Sequence, residues 1–108
     1  MSKLDDFANA VLAGAEDLAK ELFNDLKENA KTDAQAFLNK AKGDIERWAK
    51  MVAERKLTKD ELTDLVDAKK ALLEMRALTQ AGVVQATLER FRTGLLSLVV
   101  DTAFKIFV

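Results

Sequence analysis

The chain has 108 residues, with 17 Lys and Arg against 18 Asp and Glu, a formal net charge of −1, and neither His nor Cys. That length allows one domain; a charge so near zero offers no global field to attract nucleic acid or another polyanion; and the missing residue types exclude disulfides, thiolate chemistry and the usual imidazole proton shuttle. Pro is absent and Gly occurs four times. Turn formers are therefore too scarce for a β-rich chain, and the abundance of Ala, Leu, Lys, Glu and Arg predicts an all-α fold with few, long helices.

The first predicted helix opens at Ser2, a plausible N-cap, with Asp5 three positions later and Asp6 beside it in the first turn. Apolar residues then recur in one stripe: Leu4, Phe7, Val11, Ala15, Leu18, Leu22, Leu26, Ala30, Ala34, Phe37, Ala41, Ile45, Trp48 and Val52. The mean step is about 3.7 residues, close to the 3.6 of an α-helix. Thr32 could cap a new helix, but the stripe crosses residues 29–34 in phase, so the spacing predicts one long arm over about 3–55. Gly43 weakens that arm by roughly 1 kcal/mol without ending it.

The clearest punctuation is RKLTKDEL, residues 55–62. Arg55 and Lys56 suit the negative end of a helix dipole. Thr58 and Glu61 form a T-x-x-E capping box, with Leu57 and Leu62 at the positions of a hydrophobic staple. A turn is predicted at Lys56–Thr58.

The second arm, about 59–106, carries Leu62, Leu65, Val66, Leu72, Leu73 and Met75, then Val84, Leu88, Phe91, Leu95 and Leu98 in a seam like that of a coiled coil. Gly82 and its neighbouring valines mark a kink or short loop, with a continuous helix slightly favoured over a break. Folded antiparallel, the arms make a hairpin roughly 75–80 Å long at 1.5 Å per residue, assembling with other copies into a multi-helix bundle. The alternative is a compact monomeric four-helix bundle that breaks near residues 31 and 82. In the hairpin the chain's last residues lie beside 7–15, where Ala8, Ala10, Ala13, Gly14 and Ala15 allow close approach.

Residues 95–108 include nine large apolar side chains, each worth about 1.5–3 kcal/mol when buried. A two-helix hairpin has one inward seam per helix and cannot cover them all. The expected consequence is self-association, as a dimer or higher homo-oligomer, through a surface of Phe91, Leu95, Leu96, Leu98, Val99, Val100, Phe104 and Phe107, with Phe7, Val11 and Leu12 close by. The alternative cover is a membrane or lipid surface. Asp101 and Lys105 count against deep lipid burial, where charge is expensive.

Candidate chemistry is sparse. The only serines are Ser2 and Ser97, there is no Tyr, and no carboxylate pair is set in an apolar run. The Glu-x-x-His pattern of di-metal bundles and the glycine-rich phosphate cradles are both missing. No catalytic residue, cofactor, metal or small-molecule substrate is expected. Residues 46–59 interleave Arg47, Lys50, Arg55, Lys56 and Lys59 with Trp48 and Met51, a pattern compatible with an anionic surface; Trp48 falls in phase with Ile45 and Val52, which favours the core. Long amphipathic helices without Pro, Cys or His resemble those of granule-coat proteins such as phasins, a likeness that implies a lipid or polyester surface. The acidic N-terminus lacks the order of a secretory signal, and no run of eighteen apolar residues occurs, so the expected location is cytoplasmic. The expected function is that of a non-catalytic structural or adaptor protein.

Overall fold

The computed structural model describes residues 2–108. Six α-helices follow one another: α1 (Lys3–Phe23), α2 (Lys27–Lys40), α3 (Lys42–Ala53), α4 (Lys59–Asp67), α5 (Arg76–Gln80) and α6 (Gln85–Ile106), with a 3₁₀ turn at Lys70–Leu72. No strand occurs among the described residues. The fold is thus an all-α multi-helix bundle, with principal dimensions of 42 × 28 × 21 Å. Its radius of gyration is 13.4 Å, close to the roughly 13 Å expected of a compact domain of this length.

Both predicted arms are shorter and more broken than their periodicity suggests. The first ends at Phe23, and the link to α2 holds Asn24 (φ 64°) and Leu26 (φ 68°) in the left-handed region. Thr32 lies inside α2 and caps nothing. A second, milder bend falls at Ala41, between α2 and α3. These turns let the apolar stripe wrap around one core instead of running along a rod. Of its fourteen residues ten are buried; Leu18, Leu22 and Leu26 are half-buried and Leu4 is at the surface.

The turn between the arms falls where residues 55–62 place it. Helix α3 closes with the two hydrogen bonds of a Schellman motif: Lys56 N–H donates to Met51 C=O and Arg55 N–H to Val52 C=O. Arg55 holds the left-handed position, φ 59°, where glycine is usual. Helix α4 then starts with a complete capping box. Glu61 N–H donates to Thr58 Oγ1 and Thr58 N–H donates to Glu61 Oε1. The Thr58 backbone N–H, followed by its hydroxyl, holds the Glu61 carboxyl below its ordinary pKa.

The second arm breaks twice. Helix α4 stops at Asp67, and the chain reaches α5 through the 3₁₀ turn and Met75, another left-handed residue at φ 55°. At the far end of α5, Gly82 (φ 90°) makes a second Schellman closure, with Val83 N–H donating to Leu78 C=O and Gly82 N–H to Thr79 C=O. The favoured continuous helix is therefore replaced by a break. Gly82 ends one helix and α6 starts three residues after it, at Gln85.

The N-cap residue of α5, Met75, makes no side-chain hydrogen bond to the helix. Asp33, on α2, supplies the missing acceptor from 44 and 45 residues away: its two carboxylate oxygens take the N–H groups of Ala77 and Leu78, each at 2.9 Å. Asn29 Nδ2 adds a longer contact to Ala77 C=O. Asp33 is 5% exposed, so this carboxylate ties α5 to α2 from inside the fold.

Candidate functional site

Helix α6 is the element on which the other parts converge, and it carries most of the candidate contact residues. Its most extensive interface is with α1. Glycines set the spacing of that pair. A Cβ added at Gly14 would lie 2.3 Å from Leu98 Cδ2, and one at Gly94 would lie 3.0 Å from Leu18 Cδ2. Each helix therefore gives a glycine to receive a leucine from the other. Phe7 packs on Phe107 with ring centroids 5.1 Å apart, and Phe23 on Phe91 at 5.9 Å. No hydrogen bond or ion pair links α1 to α6 among the described residues. The contact is held by shape and apolar burial.

This arrangement shelters the apolar end within the chain. Phe7, Val11, Phe91, Leu95, Leu96, Val99, Val100 and Phe107 are core residues, while Leu12, Leu98 and Phe104 are half-buried. The premise that a lone pair of helices cannot cover this segment is met by a different means. The broken arms bring α1, α4 and α3 against α6 at once. On the closed chain only Leu12, Leu98 and Phe104 of the expected contact surface keep appreciable area in water.

On its other side α6 meets α4 across an open groove of about 470 Å³. Val66, Leu96 and Val100 form its floor, and Thr63, Thr93 and Ser97 add hydroxyls. The rim alternates in charge. Lys59 Nζ lies 2.8 Å from Asp101 at one end, Arg92 pairs with Glu89 at the other, and Asp67 and Lys70 line the wall. Arg92 Nη2 also makes a long contact to Leu73 C=O, and its Nε is buried without a partner. Ser97 is exposed on α6 and has no histidine beside it, since the chain contains none. The groove offers a charge-balanced rim, with Lys59, Lys70 and Arg92 against Asp67, Glu89 and Asp101, over an apolar floor.

The basic run of residues 46–59 does not form one patch. Trp48 is 5% exposed and packs in the core with Ile45 and Val52. Arg47 pairs with Asp44, Lys56 with Glu54 and Lys59 with Asp101. Burial works to raise the Asp44 pKa, but the hydrogen bonds and charges of Arg47 and Lys69 outweigh it and hold the carboxyl below its ordinary value. Among the described residues no group of His, Cys, Asp and Glu side chains is placed to hold a metal ion, and no helix is long and apolar enough to cross a membrane.

Asp33 is the one polar residue with a decisive structural role that the sequence pattern does not single out. Its position on the buried side of α2, among Ala30, Ala34 and Phe37, is the available signal, since a carboxylate on an apolar face must find donors. Comparison with known proteins adds no relative: no family model matches the chain, and neither a curated protein nor a solved structure matches it.

Proposed function

We propose that the chain is a non-catalytic structural protein that works by associating with further copies of itself, organised around α6. The observation that carries this reading is the chemistry of the α1–α6 contact. It is extensive, apolar and close-packed, without a hydrogen bond or ion pair between the two helices among the described residues. Apolar burial is non-directional, so such a contact is satisfied equally by α1 of the same chain or of another copy. Leu12, Leu98 and Phe104 leave further apolar area at the surface of α1 and α6.

Light scattering coupled to size exclusion, from low micromolar to near-millimolar protein, tests the reading. The expected result is a mass rising with concentration to an integral multiple of the single chain. A single-chain mass throughout overturns it. Binding to anionic lipid vesicles by protein that stays a single chain in solution would favour the lipid-surface role instead.

A further inference from the structure

Asn24, Asp25 and Leu26 join two helices that the sequence writes as one. The apolar stripe passes through them in phase from Leu22 to Ala30, and neither Pro nor Gly interrupts it. In the closed chain this link is held in an unfavourable backbone state. Asn24 and Leu26 both lie in the left-handed region, which Asn tolerates and Leu does not favour. Leu26 also stands as the N-cap of α2 with no side-chain hydrogen bond to the helix, a position where short polar residues normally serve. A straight helix would relieve both residues and restore the backbone hydrogen bonds that the turn removes.

Straightening cannot occur in an isolated chain without stripping α1 from α6. It can occur if α1 lies on α6 and α2 of a second copy, because the α1–α6 contacts and the almost equally extensive α1–α2 contacts that straightening breaks are then both remade between chains. Docking of two closed chains across the outer seam of Leu18 and Leu98 is less suitable. Asp17 and Glu21 line that seam, and a symmetric pairing would bring like charges together.

We infer that residues 24–26 are a hinge through which α1 is exchanged between two copies of this chain, residues 3–40 forming one continuous helix of about 57 Å in the exchanged dimer. The inference rests on the self-association reading and specifies which element crosses over.

Two measurements test it. Isotope-labelled and unlabelled chains are unfolded, mixed and refolded together at a concentration that gives the dimer. Exchange produces nuclear Overhauser contacts between the Phe7 ring of one chain and the Phe107 ring of the other. Both rings are buried in the closed fold, so surface docking cannot bring them together. The second measurement varies Asn24, whose exposure means no packing is lost. Asn24→Gly eases the left-handed turn and disfavours the straight helix; Asn24→Ala does the reverse. With two hinges per dimer, the dissociation constant should rise about tenfold for the glycine variant and fall about tenfold for the alanine variant. A dimer without interchain Phe7–Phe107 contacts, equally stable in both variants, overturns the hinge and leaves self-association standing. A single-chain mass for wild type and Asn24→Ala at every concentration overturns both.

Discussion

Arg55 occupies a backbone position that glycine normally fills. Its φ of 59° costs a residue with a Cβ about 1 kcal/mol, and its side chain is exposed with no ion-pair partner among the described residues. Arg55→Gly should therefore stabilise the fold by up to about 0.5 kcal/mol once the added entropy of the unfolded chain is subtracted, read as a raised urea midpoint with an unchanged slope. Asp33 works in the opposite sense. Its carboxylate supplies the side-chain cap that Met75 does not, and removing it leaves two N–H groups of Ala77 and Leu78 without their acceptor. Asp33→Ala should destabilise by about 3 kcal/mol, and Asp33→Asn, which keeps one acceptor oxygen, by about half as much in the same denaturation experiment.

At the scale of elements, the α1–α6 pair depends on two glycines that face leucines. Gly14→Ala would ordinarily strengthen an isolated helix by up to about 1 kcal/mol. Here the new Cβ meets Leu98 at 2.3 Å, so the variant should destabilise by about 1–3 kcal/mol. Adding Leu98→Ala opens the space, and the double variant should lose less than the two single losses combined; a cycle of four denaturation curves measures the coupling.

The same elements show what the sequence makes readable. The Thr58–Glu61 box and the apolar stripe are local patterns of a few residues, and both reappear in the structure. Ser2 also caps α1 as its position suggests, accepting the Asp5 N–H at 3.1 Å. The breaks at Asn24–Leu26 and Met75 were hidden because nothing local requires them. Asn24 and Asp25 are weak helix formers, but the stripe runs on through them, and tertiary packing, not propensity, bends the chain there. Asp33 capping α5 is hidden for the same reason, since its partners lie 44 and 45 residues away. Among the expected contact residues of the last helix, Phe91, Leu95, Leu96, Val99 and Val100 are buried. Their shelter within one chain depends on those unreadable breaks.

For the molecule as a whole, the difference between a rod of roughly 75–80 Å and a body 42 Å long is the difference between one buried stripe and a shared core. Residues 95–108 supply one side of that core: Leu95, Leu96, Val99, Val100, Ala103 and Phe107 are all buried. Removing them takes away the surface on which α1 and α4 rest. A chain ending at Gly94 should therefore lose cooperative thermal unfolding altogether, with its helical circular dichroism falling gradually with temperature. A truncated chain that still melts in one sharp transition would mean that α6 is dispensable to the fold.

Trp48 brings a practical consequence. It is the sole indole, there is no tyrosine, and its ring lies in the interior on α3. Ultraviolet emission from this molecule comes from one fluorophore in one known environment. A shift of that light toward longer wavelength reports water reaching α3, whichever helix has moved to admit it.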